Sequence, residues 1–302
     1  MRLDARRGLA ALDLLEAALT RKAAARKRRR MEDKLQAAMA KAFRAQGRAF
    51  VRELRAVAAS YPAGTPVAES WRSWVDPDLT NLDEAARWGD WAAKFEAAAT
   101  KTLELFTGPL DGATTSAILL GAKAVLGTVR ASIGFDLKNP RAVAWLKANP
   151  AAQRVAGINE TTRGYIAALV DRAVEDGASY SELARRITER FEEMAVGRPQ
   201  DHIDSRAHLI AVTEVGDAYT AGNLMAGQSI EDAGIPMEKA WDTIGDGKVS
   251  DGCDENAAAG WLPLGDAFPS GHQRPLRFPG CRCDLLMRAT GADDNTTPTQ
   301  RA

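Results

Sequence analysis

All three cysteines of the chain, Cys253, Cys281 and Cys283, lie near its C-terminal end, with His272 between them. Thiolate and imidazole groups are the usual ligands of tetrahedral zinc sites. Cys281 and Cys283 are two residues apart, so in an extended strand their side chains point to the same face. The pattern therefore predicts a structural zinc site made by the three cysteines. The fourth ligand is His272 or a nearby carboxylate such as Asp254.

Two other interpretations of the three thiols stay open. A disulfide could join Cys253 to Cys281 or to Cys283 and leave one thiol over. Alternatively, all three cysteines are reduced and packed, as is usual in a cytosolic protein. The spacing lacks the paired C-x-x-C and H-x-x-x-H steps of zinc fingers, so the motif alone does not choose among these chemistries.

The cysteines belong to a turn-rich segment, residues 236–290, in which glycine and proline interrupt short apolar runs. The pattern predicts short strands around Lys239–Thr243, Trp261–Leu264 and Arg282–Met287. Such a small module buries little apolar surface, and modules of this kind often need a metal or a disulfide for stability. Residues 291–302 are polar and are predicted to form a disordered tail.

Residues 1–60 are predicted to form a basic helical arm. Apolar residues with helical spacing define its buried stripe: Leu35, Met39, Phe43, Phe50, Leu54 and Val57. The segment Tyr61–Pro66 ends this helix, because proline cannot continue a helix and glycine permits a turn.

Residues 61–150 are predicted to be a helical region with a tryptophan-rich core. The residues concerned are Trp71, Trp74, Trp88 and Trp91. Trp88, Trp91 and Phe95 share one helical face, which favours core packing. The stretch 108–134 is rich in Gly, Ala, Thr and Ser and could be a close-packed helix with loops. No function can be assigned to it from its composition.

Residues 151–235 are predicted to contain three helices. The first buries a stripe of Ile158, Tyr165, Ile166, Leu169, Val170 and Ala173 and ends near Asp176-Gly177. Ser179 and Glu182 form a capping box that starts the second helix. The third runs from about Ser205 to Ser229. The chain as a whole is therefore predicted to be mainly α, with helical N-terminal and middle regions followed by a small turn-rich α+β C-terminal module.

The net charge is zero, with 40 Lys and Arg against 40 Asp and Glu, which excludes a uniformly basic nucleic-acid coat protein. The charges are unevenly placed. Residues 1–60 carry 16 Lys and Arg against 6 Asp and Glu, a net charge of +10, and the other residues carry −10. The basic excess is concentrated in the run Arg26, Lys27, Arg28, Arg29 and Arg30. Such a run can meet DNA phosphates or an anionic protein, or it can be a solvated helix face.

No catalytic set can be assembled from the sequence. The candidate acids are Glu214, Asp242 and Asp246, but nothing in their spacing brings them together. The chain is therefore expected not to be an enzyme. No run reaches the roughly 18 to 20 consecutive apolar residues that would span a bilayer, so no membrane partner is expected.

The order of motifs in the C-terminal half resembles the phage Mu F-like head morphogenesis proteins, which are minor head proteins of tailed bacteriophages and prophages. The resemblance covers roughly Ala151 to Arg288. It is carried by the tract Ser205–Glu214, by Trp241-Asp242-Thr243, Asp246 and Lys248-Val249, by Cys253, Gly260, Leu264 and Phe268, and by Pro279-Gly280-Cys281-Arg282-Cys283. Two positions depart from the family pattern: Val212 replaces an arginine, and Phe278 replaces the histidine three residues before Cys281.

The resemblance implies a minor capsid protein and virion component that acts in procapsid morphogenesis at the portal vertex and in DNA packaging or delivery. The implied partners are portal and capsid or scaffold proteins, with DNA possible through the run Arg26 to Arg30. The implied location is the virion head, and the host cytoplasm during assembly. Two alternatives remain: a zinc-stabilised nucleic-acid-binding protein, and an enzyme carried in the phage head.

Overall fold

The computed structural model describes residues 2–60, 62–67, 84–129, 132–197 and 203–291. The helices are α1 (Arg2–Ala58), α2 (Glu84–Val129), α3 (Pro140–Ala148), α4 (Ala151–Glu175), α5 (Tyr180–Val196), α6 (Arg206–Asp232) and α7 (Asp251–Ala258). The strands are β1 (Met237–Asp242), β2 (Leu262–Pro263) and β3 (Asp284–Ala289). The predicted fold class, mainly α with a small α+β C-terminal module, is confirmed.

The chain forms two compact units, each assembled from segments that are distant in sequence. The sheet unit consists of residues 1–36, 110–148 and 208–302, and the helix unit of residues 37–109 and 149–207. Helices α1 and α2 contribute to both units. The five consecutive segments inferred from the sequence remain a prediction. The predicted tail from residue 292 onward, Trp71 and Trp74, and the side chain of Trp88 lie outside the described part of the chain.

The core of the helix unit is formed by aromatic side chains of α1 and α2. Phe43 packs edge-on against Phe106, with ring centroids 5.3 Å apart. Phe50 packs in the same way against Trp91 and Phe95, at 6.2 and 5.9 Å. All five rings are buried. The core role of Trp91 and Phe95 is therefore confirmed, and edge-to-face pairing adds to the burial energy of these rings. The predicted stripe of α1 is confirmed except at its end, where Val57 is only half-buried.

Helix α5 begins where the sequence pattern predicted. The Glu182 N–H donates to the Ser179 side-chain oxygen at 3.3 Å, so Ser179 is the N-cap. The helix then buries the apolar face Leu183, Ile187, Phe191 and Met194. Because the cap satisfies an N–H group that has no partner within the helix, it determines where the helix starts.

One residue of the predicted α4 stripe is wrongly placed. Tyr165 is 43% exposed, and Thr162 takes the buried position beside Ile158 and Ile166. The guanidinium groups of Arg190 and Arg206 each lie over the Tyr165 ring, 5.3 Å from its centroid. A tyrosine at the edge of an apolar stripe can either pack in the core or form cation–π contacts at the surface. Its helical spacing therefore does not predict which of the two it does.

Helix α2 continues without interruption through Pro109 to Val129, so the loops considered for 108–134 do not occur before Val129. The small residues have a packing role instead. A Cβ atom on Gly121 would overlap the Tyr219 carbonyl oxygen, and one on Gly222 would overlap the Ile118 carbonyl oxygen. The backbones of α2 and α6 therefore touch at this crossing, which only glycine permits.

The segment Trp91–Val129 of α2 is long and apolar enough to cross a membrane, judged by length and composition alone. A buried core helix meets the same criterion, and Trp91, Phe106, Leu110 and Ile118 are buried in the protein. The absence of a membrane partner remains a prediction.

The three strands form an antiparallel sheet in the order β2-β1-β3. Lys239 on β1 is opposite Leu262 on β2 and Met287 on β3. The sequence pattern located all three strands within a few residues. The third strand begins at Asp284, so Cys281 and Cys283 lie in the extended chain just before it.

Lys239 is fully buried in the middle strand. Its Nζ donates to the carbonyl oxygen and the Oε1 of Gln273 at 2.9 and 2.7 Å, and it lies 5.3 Å from the Phe268 ring centre. Burial lowers the pKa of Lys239 to about 8, although the charge of Asp266 opposes the shift. A buried cation held by neutral acceptors is costly, because it has lost its hydration.

The helix crossing gives a prediction about stability. Replacing Gly121 by alanine should lower the free energy of unfolding by about 1 to 3 kcal/mol, because the added methyl group would push the two backbones apart. A Cβ atom on Gly112, in the same helix, would have no neighbouring atom within 4 Å. G112A should therefore leave stability unchanged or raise it by up to about 1 kcal/mol. Urea unfolding of the two variants measures the difference, and equal stabilities would contradict the close crossing.

Lys239 gives a prediction about pH. Its pKa in the folded protein, about 8, is below its ordinary value of 10.5. Between these pH values the unfolded chain therefore binds more protons at Lys239 than the folded protein does. The free energy of unfolding should rise as the pH increases from 8 to 10.5. Relative to K239M, wild type should gain about 1 to 3 kcal/mol over this range. Urea unfolding at pH values from about 7 to about 10 tests this, and a constant difference would show that the lysine is not desolvated.

Candidate metal centre

The three cysteines meet in the sheet unit. Cys253 lies in the first turn of α7, and Cys281 and Cys283 lie in the segment that enters β3. Their three sulfur atoms are all within 4.8 Å of one another. The sulfurs of Cys253 and Cys281 are 3.9 Å apart. The side chains are buried, with exposed fractions of 1%, 3% and 4%.

Local turns aim these side chains at one another. The Cys253 N–H donates to the Ser250 carbonyl oxygen at 2.8 Å, which forms the first turn of α7. The Cys281 N–H donates to the Phe278 carbonyl oxygen at 3.1 Å. Gly280, between them in the second turn, has a φ of +83°, a conformation that favours glycine.

Helix α6 holds the segment that carries Cys281 and Cys283. Thr213 Oγ1 accepts from the Gly280 N–H at 2.9 Å, and Thr220 Oγ1 donates to the Pro275 carbonyl oxygen at 2.5 Å. Asn223 Nδ2 donates to the carbonyl oxygen of Leu285, just after the cysteines, at 3.2 Å. These residues repeat along one face of α6, so the helix fixes the path of an otherwise irregular chain.

An apolar core surrounds the sulfurs. It includes Trp241, Phe268, Leu264, Leu285 and Met287. The Trp241 and Phe268 rings meet edge-on with centroids 5.1 Å apart. The cysteines are members of this core cluster, so packing and the proposed chemistry occur at the same place.

The three thiols share their protons unequally. Hydrogen bonds from Cys281, and then from Cys283, lower the pKa of Cys253 far below that of an ordinary thiol. The same interaction with Cys253 raises the pKa of Cys281, and it raises that of Cys283, where burial adds to the effect. A second buried thiolate would repel the first, which opposes the loss of more than one proton from the cluster. A cation between the sulfurs would remove that repulsion.

His272, the predicted fourth ligand, does not join the sulfur cluster. Its Nδ1 is 3.0 Å from the Ser270 side-chain oxygen and 3.1 Å from the Ser270 carbonyl oxygen. Ser270 is in turn held by the Asn256 amide. His272 thus belongs to a polar loop network. Asp254, the carboxylate named as its alternative, is exposed to solvent.

The cysteines are not joined in a disulfide. Of the interpretations left open by the sequence, the structure is compatible with metal binding and with packed, reduced thiols. Three converging sulfurs can bind a soft cation, and a pair of them can be oxidised to a disulfide. Among the described residues, the cysteine set is the one group of three or more metal-ligating side chains within 4.8 Å of one another.

The three candidate acids have separate surroundings. Asp246 forms an ion pair with Arg282 at 2.6 Å. Although burial opposes it, this hydrogen bond lowers the pKa of Asp246. Asp242 is opposite Asp284 at the end of the sheet, and Glu214 lies on α6. Within the described part of the chain, these acids do not form a ligand cluster.

The basic run is divided by burial. Arg28 is only 8% exposed, with its Nε 2.9 Å from Glu32, its Nη1 3.9 Å from Asp284 and its guanidinium 5.3 Å from the Tyr219 ring centre. Arg26, Lys27, Arg29 and Arg30 are exposed. Sequence reasoning grouped all five together. Helical spacing could have separated them, because Arg28 shares a face with the buried Leu35, seven residues later.

Comparison with known proteins gives one match. The family model described as Phage Mu protein F like protein matches residues 165–286. The matched segment runs from α4 through α6 into β3 and includes all three cysteines. Comparisons with curated proteins and with solved structures gave no match. The resemblance seen in the sequence is confirmed over this segment. The chain therefore carries a phage Mu F-like domain.

Proposed function

We propose that this protein is a minor head protein that acts in procapsid morphogenesis at the portal vertex, and there in DNA packaging or delivery. The observation that carries the proposal is the Mu F-like match over residues 165–286. Portal and capsid or scaffold proteins are its proposed partners. It works in the host cytoplasm during assembly and then stays in the head.

The charge of helix α1 supports contact with an anionic partner. An exposed basic row in the sheet unit consists of Lys22, Arg26, Lys27, Arg29, Arg30 and Lys34. From the first to the last of these residues the helix rises about 18 Å. Such a row favours phosphates or an acidic protein face without reading a base sequence. Arg28 is left out of the contact because it is buried.

The same row supports a second candidate, a zinc-stabilised nucleic-acid-binding protein. The basic row and the three cysteines belong to one compact unit, so a stabilised module could hold the helix against a duplex. Affinity of this kind falls steeply with salt, because binding releases the counterions of DNA. An enzymatic role is not proposed, since Asp246 is engaged by Arg282 and the other candidate acids have separate surroundings.

Co-expression with the portal protein of the same phage tests the main proposal. The wild-type chain should co-purify with the portal and should be found in purified heads. Its absence from heads, together with no retention by portal or capsid protein, would exclude the proposal.

A charge-reversed variant tests the basic row. Changing Arg26, Lys27, Arg29 and Arg30 to Glu should reduce portal retention at least about tenfold, because the attraction becomes repulsion. A matched control changes Lys41, Arg48, Arg52 and Arg55 to Glu, which are exposed on the other part of α1 and give the same change in net charge. Equal behaviour of the two variants would show that the basic row is not the contact.

Binding of duplex DNA by the same two variants distinguishes the minor head protein from the nucleic-acid-binding protein. If portal retention falls while duplex binding is absent in wild type and in both variants, the partner is a protein. If wild type binds DNA with strong salt dependence and only the first variant loses it, the nucleic-acid alternative is favoured.

A further inference from the structure

We propose that Cys253, Cys281 and Cys283 together bind one zinc ion, and that a water molecule near the Ser250 hydroxyl occupies its fourth position. This ligand set differs from the one expected from the sequence, because His272 is not part of it. The proposal is independent of the partner of the protein.

The sulfur spacing fits a single metal ion. Sulfurs bound at about 2.3 Å to one tetrahedral zinc are about 3.8 Å apart. The Cys253 and Cys281 sulfurs are 3.9 Å apart, and all three sulfurs are within 4.8 Å of one another. Small side-chain rotations would bring the third sulfur to the same distance. The ligands come from two segments that α6 and α7 hold in place, so the site is largely formed before the metal arrives.

A fourth protein ligand is not offered by the described His, Cys, Asp and Glu side chains. His272 is held by Ser270, and Asp254 is exposed. Zinc with three protein ligands completes its tetrahedron with water. The fourth position is therefore assigned to water.

The Ser250 hydroxyl is the independent observation that favours this water. Its oxygen is buried and has no hydrogen-bond partner of regular geometry among the described residues. Ser250 stands three residues before Cys253, and its carbonyl oxygen accepts from the Cys253 N–H at 2.8 Å, so it belongs to the turn that positions this ligand. A buried hydroxyl without a partner is costly, and a thiolate or a metal-bound water would satisfy it.

The charge of the occupied site is also balanced. Zinc with three thiolates and a water carries a net charge of −1. The Arg277 guanidinium packs so closely on Gly252, the residue before Cys253, that a Cβ there would be 2.7 Å from its central carbon. A cation at this position offsets the remaining negative charge.

The experiment uses the full-length chain, reduced and purified without oxygen, then stripped with a chelator and loaded with Zn²⁺ or Co²⁺. We expect one equivalent per chain and protection of all three thiols from alkylation. X-ray absorption should show three sulfurs at about 2.3 Å and one oxygen at about 2.0 Å. Less than roughly a tenth of an equivalent, with all three thiols freely titratable, would overturn the proposal, as would a spectrum with four sulfurs.

Variants assign the ligands. C253S, C281S and C283S should each weaken Co²⁺ binding by at least about 100-fold, and S250A should weaken it by about tenfold through the lost contact to the bound water. H272A and D254A are matched controls and should bind within about twofold of wild type. A loss of Co²⁺ in H272A or D254A equal to that in C281S would overturn the proposed ligand set. If the cysteine variants do not fold, the absorption spectrum of wild type still decides.

Discussion

Helix α6 can be approached closely because it lacks side chains where its neighbours meet it. Gly216 faces the Arg28 guanidinium, Gly222 touches the backbone of α2, and Gly227 receives the Met287 side chain. A Cβ at any of these positions would collide with its neighbour. The packing of the sheet unit therefore depends on the close approach that these glycines of α6 permit. Because the interior is closely packed, a single added methyl group would disturb it.

The polar side chains of the same helix organise the cysteine segment. The side chains of Thr213, Thr220 and Asn223 form hydrogen bonds with backbone groups of a segment that has little regular secondary structure. Backbone groups buried without partners would be costly, so these bonds determine which path the chain can take. The convergence of Cys281 and Cys283 on Cys253 follows from that path. The candidate metal centre is in this sense a consequence of helix packing.

Electrostatics link the basic helix to the same unit. Arg28 is buried, unlike its basic neighbours, and it pairs with Glu32 and Asp284. Asp284 is the first residue of β3 and directly follows Cys283. A buried arginine that lost these partners would be strongly destabilising. Its neighbours Arg26 and Arg29 are exposed to solvent. One charge run thus divides into a buried, ion-paired arginine and an exposed basic row.

Local patterns in the chain were sufficient to predict the helices with clear apolar spacing, the Ser179 cap and the three strands to within a few residues, whereas the Mu F-like segment was identified by its resemblance to a family. These features depend on residues close together in the chain, where periodicity and capping act. Long-range packing was needed to show that α2 is unbroken, that Tyr165 faces Arg190 and Arg206, and that His272 stays outside the sulfur cluster. Each of these features depends on which residues from distant parts of the sequence come into contact. The spacing of residues that are close in the sequence does not predict those contacts.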